Sequence, residues 1–242
     1  DYSANIITSI NADLIGLQEI QSDSAFFALV NKLNEIDTNN WSGYRANTDK
    51  WNMNLAYLFK TESIKVKKIY EIYDGDYYAF PRRPLVMEFE MNEVPFVIIN
   101  NHLKAKSGKE NEERRSDACR KITSYIEENF DKANVILLGD LNDQLSDPEK
   151  ENVFQIFLNQ PDKYKFADWD ISADENADWS YPYWKYRGHI DHIMISNELF
   201  DEFENAVVKT ITIDKFMDGG GDARYKYITD HRPVVLKMEI GK

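Results

Sequence analysis

The residues most able to do chemistry sit at the ends of apolar runs. Val135 to Leu138 reads as a buried strand, and Gly139-Asp140-Leu141-Asn142-Asp143 follows at once. Asp140 and Asn142 are two apart, so an extended segment shows both on one face. An acid that can take a proton, beside an amide that can donate to a phosphate oxygen, suits phosphoester hydrolysis. Taken alone, the same pattern equally describes a capped strand end. The chain has four histidines, His102, His189, His192 and His231, and each lies at or beside the end of an expected strand. Three have a charged neighbour: His102 has Lys104, His192 has Asp191, and His231 has Asp230. One such histidine is more often structural than catalytic, but four of four at strand ends favours a shared site.

Glu19 closes a short strand as a lone carboxylate. With Asp140 and Asp230 it would make an oxygen-rich site of the kind that holds Mg²⁺, with Mn²⁺ or Ca²⁺ as alternatives, waters completing the shell. No His-x-x-x-His or Cys-x-x-Cys spacing supports zinc, and neither a Gly-rich phosphate loop nor a Gly-x-Ser-x-Gly elbow occurs. Arg82-Arg83-Pro84 before a strand is a candidate phosphate clamp. A solvated turn explains it as well. Arg83, Lys104 and His192 are the expected substrate contacts.

These residues need a scaffold, and the hydropathy pattern supplies one. Ser3 to Ile10 reads as the end of a helix, Asp13 to Glu19 as a buried strand, and Ser22 or Asp23 as the cap of a helix with Phe26, Phe27, Val30 and Leu33 on one face. Strands are expected at 43–46, 55–60, 66–73 and 85–90, and again over Pro95 to His102. A long helix over 109–130 carries an apolar stripe of Ala118, Ile122, Tyr125, Ile126 and Phe130. Asp147-Pro148 is expected to start a further helix, since proline suits the first helical position. Asp168 to Asp178 holds five acids in eleven residues and reads as a solvated loop rather than a calcium site. Strands at 190–196, 207–213 and 234–240 finish the chain. Strands alternating with helices early and gathering into hairpins late imply α/β with mixed sheets. No repeat or Gly/Pro/Ser-rich linker divides residues 1–242, which favours a single domain.

Composition narrows the partners. With 43% apolar residues and 13% aromatics, the 242-residue chain can bury a sizeable core. A formal charge of −13 argues against a broad basic face for duplex DNA. A local cation and a few Arg or Lys could still neutralise one phosphate. The single cysteine, Cys119, excludes an intrachain disulfide. No apolar run reaches transmembrane length. The chain opens at Asp1 without methionine, which reads as a processed product and leaves a secreted or periplasmic location open.

Five motifs together resemble the endonuclease/exonuclease/phosphatase superfamily, the fold of deoxyribonuclease I. They are Leu17-Gln18-Glu19, Asn101-His102-Leu103-Lys104, Gly139-Asp140-Leu141-Asn142-Asp143, Ile190-Asp191-His192-Ile193 and Thr229-Asp230-His231-Arg232-Pro233. They follow the family's order and span nearly the whole chain. The resemblance implies a four-layer α/β/β/α sandwich of two mixed β-sheets whose strand ends build one cleft. It implies Glu19 as the main metal ligand with Asp230 in support, and His102 and Asn142 as phosphate contacts. Asp140 would orient or deprotonate the attacking water, and His231, held by Asp191, would act on the phosphate or as general acid or base. The family normally begins with a strand carrying an Asn near the metal, and that first strand is missing from this sequence.

Three functions follow as expectations. The first is a Mg²⁺-dependent phosphodiesterase, foremost an endonuclease or exonuclease on nucleic acid, acting as a monomer. The second is a phosphatase or phospholipase C-type enzyme on lipid headgroups, inositol phosphates or other small esters. The third is a non-catalytic binding protein, disfavoured because such a module has no need of all seven of Glu19, His102, Asp140, Asn142, Asp191, Asp230 and His231. The basic run of Lys104, Lys106, Lys109, Arg114 and Arg115 could meet a phosphate backbone. The aromatic residues Trp179, Tyr181, Tyr183, Trp184 and Tyr186 could stack on bases or lie against lipid.

Overall fold

Our computed structural model describes residues 2–173, 179–182 and 187–241. The chain opens with helix α1 (Tyr2–Ile10), strand β1 (Leu14–Ile20) and helix α2 (Asp23–Ile36). Strands β2 (Trp41–Arg45), β3 (Asn54–Lys60), β4 (Lys65–Glu71), β5 (Leu85–Met91) and β6 (Val94–His102) follow. Helix α3 (Lys109–Asn129) crosses to strand β7 (Asn134–Asp140). Then come α4 (Gln155–Leu158), β8 (Tyr164–Phe166), α5 (Trp169–Ser172), β9 (Asp191–Ser196), α6 (Phe200–Phe203), β10 (Val207–Thr210), α7 (Gly220–Tyr227) and β11 (Val234–Lys237). One sheet has six strands in the order β4-β5-β6-β7-β9-β8, with β6 and β7 parallel and the other pairings antiparallel. Facing it are a three-stranded sheet, β1-β3-β2, and a two-stranded one, β10-β11.

Strands buried on both faces explain the continuous apolar runs in the sequence. In β6, Phe96 and Ile98 enter the core between the sheets, while Val97 and Ile99 face α3. Strand β7 repeats this, with Val135 and Leu137 under α3 and Ile136 and Leu138 toward the opposing sheet. Strand β3 sends Leu55, Tyr57 and Phe59 into the middle, and Ala56 and Leu58 toward α1 and α2. Three apolar cores thus separate four layers, helix, sheet, sheet and helix, as the family resemblance implied.

Several expected elements differ. Pro148 starts a turn that closes after Asn152, whose side chain donates to Leu145 O (2.9 Å) and accepts from Phe154 N (2.9 Å). Those local bonds replace helix propagation. The late strands are shorter than their apolar runs: Ile213 belongs to a 3₁₀ turn, Ile213–Phe216. Helix α7, beginning with glycines, has no amphipathic pattern to announce it. The acidic stretch begins with a fully buried carboxylate, Asp168, rather than a solvated loop, and residues 174–178 lie outside the described ones. The first described element is α1, so the Asn-bearing strand that the family normally carries is not among the described residues. Among the described residues no helix is long and apolar enough to cross a membrane.

Two local distortions set up the strand ends that matter. At the end of β1 the register with β3 shifts between Leu17 and Ile20, and Glu19 sits in this bulge at φ 60°. A bulge re-aims a side chain, which is why bulges collect beside functional sites. At Gly139, φ is 135° and a Cβ would lie 1.9 Å from Asn101 O, so β6 and β7 approach as only glycine permits. Gly139→Ala should therefore lower stability by roughly 2–6 kcal/mol, combining backbone strain with overpacking. A urea midpoint within experimental error of the parent would show that the close approach is not enforced.

Candidate active site

The polar cluster is a row across the large sheet. Register pairs His102 of β6 with Asp140 of β7, and Asp140 with Asp191 of β9. Neighbouring strands are about 4.8 Å apart, so side chains in one row meet. His102 Nε2 lies 3.4 Å from Asp140 Oδ2 and 3.8 Å from Glu19 Oε1, which arrives from the opposing sheet. His231 closes the far side, with Nδ1 2.8 Å from Asp191 Oδ2 and Nε2 4.0 Å from Asp140 Oδ2. Two histidines and three carboxylates thus converge on one place. Tyr181 covers the His231 ring at a centroid distance of 4.9 Å.

The surroundings drive these groups apart in proton affinity. Burial, reinforced by the Arg82 and His231 charges, pushes the His102 imidazole down to about 3, so it is neutral. Burial alone would also push His231 down. The Asp191 carboxylate and its hydrogen bond win instead, carrying His231 to about 10. Asp191, though buried, is held below the usual carboxylate range by that imidazolium and by Ser180. Asp140 is pushed up to about 7, by burial first and then by the Asp191 charge. The cluster therefore holds a fixed cation, a fixed anion and an acid poised near neutrality, an arrangement suited to acid–base work.

Loop geometry places the remaining groups. Asn142 adopts φ 55°, its N–H donates to Asp140 Oδ1 (3.1 Å), and its Nδ2 donates to Leu103 O (3.3 Å). That turn ties the Asn142 backbone to Asp140 and its amide to the residue after His102. Half-exposed Glu19 is raised by burial, lowered by Arg82 and raised again by Asp230, so the two carboxylates feel one another. Exposed enough for waters and built of oxygens alone, the Glu19–Asp230 pair fits a hard divalent cation.

The expected substrate contacts are redistributed. Arg83 is tied to Asp74 and hydrogen-bonded to Tyr77, while the preceding residue, Arg82, turns inward. Its guanidinium is half-buried, faces the charges of Glu19, Asp49 and Asp140, and reaches Leu103 O at 3.4 Å. Lys104 Nζ donates to Ala105 O (2.9 Å), and burial together with neighbouring cations pushes it down. His192 is not placed to touch substrate. It is buried, its Nδ1 lies 2.6 Å from Asp168 Oδ2, and its Nε2 lies 2.8 Å from Asp143 O. Residues alternate along β9, so Asp191 joins the site and His192 faces inward. His189 joins the same carboxylate at 3.1 Å. Asp168, His189 and His192 have metal-ligand spacing. Both His192 nitrogens, however, are engaged within the protein, so the trio reads as a hydrogen-bonded clamp. Of the aromatic residues, Tyr183, Trp184 and Tyr186 lie outside the described ones.

A family model described as "Endonuclease/Exonuclease/phosphatase family" matches residues 3–238. Comparison with curated proteins finds no match. Among solved structures, TDP2 from Caenorhabditis elegans superposes with a TM-score of 0.66 at 18% identity, covering 98% of this chain and 67% of that one. TDP2 from D. rerio, complexed with single strand DNA product, gives 0.69 at 14% identity, covering 98% and 90%. The mannosyl-6-phosphatase of Bacteroides thetaiotaomicron gives 0.66 at 15% identity, covering 99% and 90%. At such identities the likeness is one of fold.

A titration tests the electrostatics. Because the folded pKa of His231 lies above the ordinary histidine value of about 6.5, its contribution to stability is complete below that pH. It fades as pH rises toward about 10. The parent should thus lose stability over this window relative to His231→Gln, measured by urea midpoints at several pH values. A His231 ring signal that titrates near 6.5 by NMR would show that Asp191 does not hold it.

Proposed function

The chain belongs to the endonuclease/exonuclease/phosphatase family, and from that premise we propose that it hydrolyses phosphodiesters of nucleic acid with the help of a divalent cation. One observation carries the reading: His102, Asp140, Asp191 and His231 form one row linked by contacts of 4.0 Å or less, and the Glu19 carboxylate comes within 3.8 Å of it. A bound Mg²⁺, Mn²⁺ or Ca²⁺, held by Glu19 and Asp230, would draw charge from the phosphoryl oxygens.

The chain's own groups supply the rest. The His231 imidazolium, fixed in tautomer by Asp191, donates a hydrogen bond to a phosphoryl oxygen where charge builds up. Asp140, poised near neutrality, takes the proton of the attacking water as its oxygen bonds to phosphorus, the P–O bond to the leaving strand breaks, and the departing alkoxide takes up the proton. Neutral His102 and the Asn142 amide donate to the remaining oxygens, and the inward Arg82 adds a cation without being a ligand. A strand that is single and flexible suits an acidic protein better than a duplex, since it needs few cations at one point. The single strand DNA product bound to one structural relative supports the same choice. A sugar phosphate is the second reading, favoured by the mannosyl-6-phosphatase likeness.

Turnover of single-stranded and duplex oligonucleotides, RNA, mannose 6-phosphate, inositol phosphates and sphingomyelin, with Mg²⁺ or EDTA, tests the proposal. Single strands should be cleaved fastest and only with the cation. His231→Ala and Asp140→Asn should each lower kcat/KM by roughly 10³-fold or more with little change in melting temperature. Glu19→Gln should weaken Mn²⁺ binding in calorimetry by at least roughly tenfold. Cleavage that persists in EDTA, or faster turnover of mannose 6-phosphate than of any oligonucleotide, would overturn it.

A further inference from the structure

A shallow open cleft lies beside the catalytic row and has Arg82 in its wall. Its walls include Asp49, Lys50, Trp51, Tyr77, Arg82 and Arg83. Trp51 is 82% exposed and Tyr77 46%. The turn that carries Trp51 and the ring of Tyr77 are both held. The Asp49 carboxylate accepts from Trp51 N and Met53 N (both 2.8 Å), and Asp49 N donates to the buried Asn54 Oδ1 (3.1 Å). Lys50 Nζ lies 4.4 Å from the Tyr77 ring centroid, and Arg83 is hydrogen-bonded to Tyr77. An ordered turn thus presents an indole to solvent, opposite a phenol held between two cations.

Resting on the nuclease reading, we infer that this cleft is a stacking subsite for the nucleobase next to the scissile phosphate. Arg82 lines the cleft and donates to Leu103 O (3.4 Å), and Leu103 follows His102 and donates through its N–H to Asp140 O (3.0 Å), so the cleft borders the strand ends that carry the catalytic row. The chemistry of the walls selects the occupant. A lipid chain needs a continuous apolar lining, whereas here two rings alternate with charged groups. A flat, polar, aromatic ring matches that mixture, because its face stacks on Trp51 and its edge meets the charged groups. Stacking of this kind is tolerant of base identity. The subsite therefore confers a preference for base-bearing single strands without a sequence code, and Trp51 is its specificity-determining residue.

The test is equilibrium binding in the His231→Ala background, which suppresses turnover, using fluorescence anisotropy. The probes are a short oligothymidylate and an abasic strand of the same length. The parent background should bind the base-bearing strand about tenfold or more tightly than the abasic one, as expected for one stacked base. Trp51→Ala should collapse that ratio toward unity, and Trp51→Phe should largely restore it. Melting curves confirm that each variant is folded. Equal affinity for the two strands, or a ratio unchanged by Trp51→Ala, overturns the subsite and leaves the nuclease reading standing. Binding of neither strand overturns both. Displacement of the oligothymidylate by mannose 6-phosphate in a Trp51-dependent manner assigns the cleft to a sugar and overturns the nucleobase.

Discussion

The site depends on how two sheets are locked face to face, and one buried amide bonds directly across them. Asn100, fully buried in β6, donates through Nδ2 to Leu17 O of β1 (3.0 Å) and Ala56 O of β3 (3.1 Å). Its Oδ1 accepts from Gln18 Nε2 (2.8 Å), and its N–H reaches Tyr57 Oη (3.0 Å), which itself donates to Leu85 O (2.6 Å). Apolar contact between the sheets would tolerate sliding, because it is non-directional. These bonds would not, since each partner left unsatisfied costs about 1–3 kcal/mol. Glu19 lies directly after Gln18, and His102 two residues after Asn100. The same bonds that fix the sheets therefore fix the distance between the Glu19 carboxylate and the row of His102, Asp140 and Asp191.

A second clamp holds the other flank. Asp168 accepts from Ile193 N (2.8 Å) through Oδ1, while Oδ2 receives His192 and His189. Ser180 Oγ accepts from the N–H groups of Ile190 and Asp191 (3.0 and 3.1 Å). The entry of β9 is thereby pinned one residue to either side of Asp191. Histidines that look alike in sequence divide the labour: His102 and His231 face the cleft, while His189 and His192 hold the strand that carries a cleft residue.

What could be read from the sequence was what repeats or alternates along one segment. Runs such as Val135 to Leu138 announced doubly buried strands, and the acids and amides at their ends announced a site at one edge. What depended on another segment could not be read so. Asn100 looks like any polar residue closing a strand, and its role appears only once Leu17, Gln18 and Ala56 stand opposite it. Arg82 and Arg83 are equivalent until Asp74 and Tyr77 claim one of them. Alternation along Asp191-His192 could have warned that the two side chains diverge. Trp51 stands in no apolar run or strand-end motif, and its exposure is a tertiary fact.

The row of His102, Asp140 and Asp191 also contains its own conflict. Two acids directly opposite on adjacent strands repel, and burial strengthens the repulsion. The structure relieves it unequally. His231 bonds to Asp191 at 2.8 Å and stands 4.0 Å from Asp140, so one acid gains a full partner and the other a distant one. Asp191 consequently remains an anion, and Asp140 alone absorbs the strain by holding its proton up to about 7. Equal sharing would give two ordinary carboxylates and no base poised near neutrality. The asymmetry follows from which strand His231 reaches first on leaving α7, and so the proton chemistry of the site is set by the path of the backbone.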